Sequence, residues 1–178
     1  MLVVGVGNDL RRDDGVGRTV VEAVERRLGG EVDTVVTHQL LPEILEEFPG
    51  RRTVIVVDAA VPRGDGDHVG VSRVPGGGRA ARGTIAAGGG TGPTGAIGWY
   101  RTGPAGAGGT GPGHALDLAG LLALAGSARI GVPECWSVTV PAYDLGLGDG
   151  LSAGTFALVD EAVLAVVGLV RRAGPDGR

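Results

Sequence analysis

The chain has few of the residues that staple a protein together or carry it across a membrane. One cysteine, Cys135, stands among 178 residues, so no internal disulfide framework can form. Lysine is absent, and all sixteen basic residues are arginine. Aromatic residues make up only 3% of the chain, so its core must be built mainly from aliphatic side chains. No apolar run reaches the length of a membrane span, and no basic segment precedes the apolar run at the N-terminus. A net charge of −4 offers no attraction for nucleic acid or an anionic membrane. Together these absences predict a reducing, cytoplasmic setting with neither of those partners.

The length suits one domain, residues 1–178, with a real hydrophobic core. Glycine is nearly three times as frequent as the roughly 7% usual in proteins, so a glycine by itself says little here. Asparagine occurs once, at Asn8. Around it lies the stretch that organises the chain, Gly5-Val6-Gly7-Asn8-Asp9-Leu10-Arg11-Arg12-Asp13-Asp14-Gly15-Val16-Gly17. Leu2, Val3, Val4 and Val6 before it read as a short buried strand. After the loop, Val20, Val21, Val24 and Leu28 keep the spacing of a helix with one buried face. Asp13 and Asp14 then stand at the mouth of that helix, where they could cap free N–H groups and meet the positive dipole end.

Alternation continues downstream. Gly29-Gly30 closes the first helix, Val32–Val36 reads as a strand, and Leu41, Ile44, Leu45 and Phe48 mark a short helix begun by Pro42. Thr53-Val54-Ile55-Val56-Val57-Asp58 has the continuous apolar character of a parallel strand covered on both faces. Val69, Val71 and Val74 alternate as an edge strand would. From Gly76 to Gly113 periodicity disappears, and sixteen of the 36 glycines fall there, which predicts a mobile insert at 76–113. A leucine- and alanine-rich helix follows His114, a strand covers Trp136–Val140, and Ser152 caps one last helix. Phe156, Val159, Val163, Val166, Val167 and Val170 should share a face of that helix. The expected architecture is α/β, a three-layer αβα sandwich around a mainly parallel twisted sheet of about five strands.

The common hydrolytic solutions are missing. No Gly-x-Ser-x-Gly elbow follows a strand, no His-Glu-x-x-His helix occurs, and Cys135 reads as a small core residue. A dinucleotide fingerprint needs a third glycine where Leu10 stands, and the two acids that follow would repel phosphate. What remains is an oxygen- and nitrogen-rich set, Asp14, Asp58 and His114, suited to a borderline divalent metal. Asp58 ends its strand, where open α/β sheets build their sites. His68, in a polar stretch, is the reserve imidazole. Either Asp13 or Asp14 could instead serve as a general base.

The opening signature resembles that of the hydrogenase maturation proteases, endopeptidases that trim the C-terminal extension of the nickel-iron hydrogenase large subunit. Thr37-His38-Gln39-Leu40, Val57-Asp58-Ala59-Ala60, Ser137-Val138-Thr139-Val140-Pro141 and Gly150-Leu151-Ser152 resemble later family segments in family order. The resemblance covers nearly all of the chain except 76–113. It implies a twisted sheet flanked by helices, and an endopeptidase acting on a nickel-loaded [NiFe] hydrogenase large-subunit precursor. Asp14, Asp58 and His114 would be the metal ligands, with Asp14 and Asp58 catalytic and His38 at most a substrate contact. The nickel would come with the precursor, no organic cofactor would be needed, and the protease would act as a monomer. A non-catalytic, metal-checking assembly factor for the same precursor is the alternative, followed by a nucleotide-binding α/β domain.

Overall fold

A computed structural model describes residues 1–62, 64, 67–76 and 117–174. The expected insert, apart from Gly76, lies outside the described residues, as does His114. Five strands make one sheet: β1 (Leu2–Val6), β2 (Asp33–Thr37), β3 (Thr53–Ala60), β4 (Gly70–Val74) and β5 (Glu134–Pro141). Their order is β2-β1-β3-β5-β4, parallel throughout except for β4, which runs antiparallel along the outside of β5. The valine alternation at 69–74 is thus an edge strand, as its pattern predicts.

The apolar runs are continuous because both sheet faces are covered. Val3, Ile55, Val57, Val138 and Val140 point to one side, against α1 (Val16–Leu28) and α4 (Val159–Ala173). Leu2, Val4, Val6, Val54 and Val56 point to the other. There they meet Leu45 and Phe48 around the 3₁₀ turn Pro42–Glu47, and Leu118, Leu121 and Leu122 of α2 (Leu118–Ser127). Successive strand residues alternate between these two cores, as the pleat requires. The result is the expected three-layer αβα arrangement. Cys135 is buried in the second core, and burial pushes its thiol up to about 12, so it is a core residue rather than a nucleophile.

The final helix departs from expectation. Ser152 does cap it, accepting from the Thr155 N–H at 3.3 Å, but the segment breaks at Leu158 into α3 (Ala153–Ala157) and α4. The break rotates Phe156 off the buried stripe, leaving it 66% exposed, whereas Val159, Val163, Val166, Val167 and Val170 are buried. Ala153–Ala173 together are long and apolar enough to cross a membrane by length and composition. Here that apolar face is the one packed against α1 and the sheet.

Candidate active site

β1 and β3 lie side by side at the centre of the sheet, and their carboxyl ends carry the two candidate acids. The chain leaves β1 through Gly7 and Asn8, makes a 3₁₀ turn at Arg12–Gly15, and enters α1. That turn presses directly onto the strands. Gly7 adopts φ +136, and a Cβ there would run into the carbonyl oxygen of Asp14. A Cβ on Gly17 would collide with the Val6 carbonyl and lie 2.7 Å from the Val57 carbonyl oxygen. The glycines of the signature therefore let backbone meet backbone, which draws the Asp14 turn against the ends of β1 and β3.

Asp14 accepts a hydrogen bond from the Asn8 N–H at 3.0 Å, while the Asn8 side-chain oxygen accepts from the Leu10 N–H at 3.0 Å. The lone asparagine thus folds the loop that presents Asp14. Asp58 sits near the end of β3, opposite Thr139 of β5. Its carboxylate accepts from the Ala59 N–H at 2.8 Å. The group keeps a window to solvent, yet most of its surroundings are protein. Burial, and secondarily the charge of Asp14, push its pKa up to about 7 despite that hydrogen bond. Asp14 and Asp58 are therefore brought near enough to repel each other, which a bound cation would relieve.

Asp13 behaves differently from the capping residue expected of it. The N-cap of α1 is Gly15, with no side-chain cap from either acid. Asp13 is fully enclosed and reaches across to the loop that follows β5. Its carboxylate accepts from the N–H groups of Tyr143, Asp144 and Ser152 at 2.8, 2.7 and 2.6 Å. The hydroxyls of Ser152 and Thr155 donate to it as well, at 2.7 and 2.8 Å. Burial alone would raise its pKa, but these donors hold it below the usual carboxylate value. A carboxylate so saturated has no lone pair directed at a substrate, which removes Asp13 as a general base and makes it the latch of the 143–155 segment. Thr155, a key donor, carried no local signal in the sequence.

The histidines divide. His114 is outside the described residues. His68 is largely exposed, with Nδ1 3.9 Å from the Glu161 carboxylate of α4. His38 follows β2 and is exposed. Among the described residues no cluster of three histidine, cysteine or acidic side chains forms a complete metal cage. The described donor set is two neighbouring carboxylates, which suits a hard or borderline cation that brings its own further ligands.

A mainly parallel sheet with two acids near the carboxyl ends of its central strands places them where open α/β sheets build their ligand sites. No family model matches the chain, and no curated protein matches it in sequence. Solved structures do. The chain is similar to the hydrogenase maturating endopeptidase HybD from E. coli, with 22% identity and TM-score 0.67 over 97% of this chain and 93% of that one. It is also similar to a hydrogenase 2 maturation peptidase from Thaumarchaeota archaeon SCGC_AB-539-E09, with 23% identity and TM-score 0.59 over 94% and 95%. A third is the [NiFe] hydrogenase maturation protease HybD from Thermococcus kodakarensis, with 14% identity and TM-score 0.57 over 94% and 97%. The chain has the fold of the hydrogenase maturation proteases.

Proposed function

We propose that this protein is a cytoplasmic endopeptidase that removes the C-terminal extension of a nickel-loaded [NiFe] hydrogenase large-subunit precursor. The observation that carries this reading is the Asp14–Asp58 pair, held at the sheet's carboxyl edge within this fold. Desolvation and mutual repulsion leave Asp58 poised near neutral pH, so a cation arriving with the substrate gains two oxygen donors and releases a proton. In this reading the nickel is part of the substrate, and its charge either polarises the scissile carbonyl or acidifies an attacking water. The protease's own residues position it: the glycine contacts seat the Asp14 turn, and β3 fixes Asp58. Cleavage is thereby coupled to correct metal insertion. His114 is the proposed third ligand.

A gel-shift processing assay tests the reading, using nickel-loaded precursor with nickel-free precursor and Asp58→Ala enzyme as controls. Trimming that requires both nickel and Asp58 is the expected result. Nickel-dependent binding without trimming would replace it with the assembly-factor role. The nucleotide alternative loses ground, since Asp14 and the buried Asp13 occupy the turn where phosphate would have to sit.

A further inference from the structure

Four of the ten large apolar side chains that are strongly exposed among the described residues fall on two loops beside Asp14, Leu10 on one and Tyr143, Leu145 and Leu147 on the other. The two loops are one unit. Arg11 and Gly148 form a parallel β-bridge, in which the Gly148 N–H donates to the Leu10 carbonyl at 3.0 Å and the Arg12 N–H to the Gly148 carbonyl at 3.1 Å. Leu10 and Leu147 each precede a bridge partner by one residue, so the bridge brings the two positions alongside each other. They are 64% and 84% exposed. The Arg11 side chain donates to the Leu145 carbonyl at 3.4 Å, and the Asp13 N–H to the Asp144 carbonyl at 3.1 Å. The ring of Tyr143 lies over the backbone of Gly154, where a Cβ would sit 2.8 Å from it.

Single exposed leucines need no explanation, but several on one bridged ledge beside an acid pair do. Arg12 pairs with Asp144 at 3.3 Å and Arg18 with Asp9 at 2.8 Å, while Arg11 and Asp149 stay exposed without an ion pair among the described residues. The ledge thus offers a partner apolar area flanked by one charge of each sign. It is also rigid, because the Asp13 carboxylate ties its far side down from beneath, so little conformational entropy is lost when a partner lands. Continuity matters too, for the ledge runs directly into the Arg12–Gly15 turn that presents Asp14.

We infer that this ledge, centred on Leu10 and Leu147, docks an apolar segment of the precursor polypeptide and so aligns the tail with the acid pair. The inference rests on the endopeptidase reading above. A flexible tail has no other means of registering one bond against two carboxylates than contacts made away from that bond.

The experiment compares wild type, Leu10→Gln/Leu147→Gln, and Leu164→Gln on the exposed face of α4, using nickel-loaded precursor. Binding affinity, KM, kcat, melting temperature and oligomeric state are read for each. Both ledge side chains are exposed, so the double variant should fold with an unchanged melting temperature. The expected result is a rise in Kd of about tenfold or more together with a fall in kcat/KM at least as large, while Leu164→Gln matches wild type. Wild-type trimming with the double variant's Kd unchanged overturns the ledge and leaves the protease reading standing. So does a fall in kcat alone, or a wild-type dimer that the double variant dissociates, since the ledge would then serve a second copy of the chain. If wild type neither binds nor trims precursor, the protease reading fails and the ledge falls with it.

Discussion

Two enclosed carboxylates on this protein meet opposite surroundings. Beneath the 143–155 segment, Asp13 is wrapped by three backbone N–H groups and two hydroxyls. At the end of β3, Asp58 has one such hydrogen bond among the described residues, from Ala59, and a second acid for a neighbour. The first arrangement solvates an anion with protein and spends it on holding two loops together. The second leaves a carboxyl group under-solvated and therefore ready for something that arrives from outside. Burial by itself predicts neither role; the count and direction of donors decides.

The sharpest way to break the comparison is to remove Asp13. Asp13→Ala strands three part-buried N–H donors and two hydroxyls and should cost about 3–5 kcal/mol, read by chemical denaturation. A loss under about 1 kcal/mol would mean that the latch carries no load. Asp58→Asn should move the other way, because it removes a charge that the fold solvates poorly. A gain of about 1–2 kcal/mol at pH 8 is expected, together with loss of trimming.

The pH dependence of stability separates the two groups further. For Asp58 the folded-state pKa, about 7, lies above the ordinary 3.8, so between these values the folded state binds the extra proton. Its contribution to stability is full below about pH 4, falls as pH rises towards 7, and is flat beyond; Asp58→Asn should abolish that slope. For Asp13 the folded pKa is depressed, so its contribution is present above about 3.8 and is lost as acid titrates the group below that. Denaturation curves from pH 3 to 9 on wild type and Asp58→Asn read both. The smallest effect belongs to Phe156→Ser, which should change stability by no more than about 0.5 kcal/mol, because this side chain is exposed beyond the helix break.

What could be read in the sequence follows from the range of the forces involved. The strands were legible because burial on both sheet faces writes an unbroken apolar run at 54–57 and alternation at 69–74. α1 was legible from its heptad-like spacing and from Gly29, which ends it at φ +56 with its N–H on the Glu25 carbonyl. The placement of Asp14 at the mouth of α1 and of Asp58 near the end of β3 was legible, from the loop-to-helix signature and from the acid that closes the apolar run. The role of Asp13 was not, since its partners lie 130 to 142 residues away, and no local pattern announces a contact made by tertiary folding. Ser152 gave away half of its part: its cap was visible, its hydrogen bonds to the Asp13 carboxylate were not. The break at Leu158 likewise had no glycine or proline to mark it, so Phe156 was assigned to a face it does not share.

The most direct measurement is a ¹³C NMR titration of the aspartate carboxyl groups, with and without zinc as a diamagnetic divalent probe. Asp58 should titrate near pH 7, fall towards lower pH when zinc is added, and lose that response in Asp14→Asn; Asp13 should stay ionised to well below its ordinary value throughout. An Asp58 midpoint near 3.8 that zinc does not move would contradict the account, because the acid pair would then be neither poised nor a cation site.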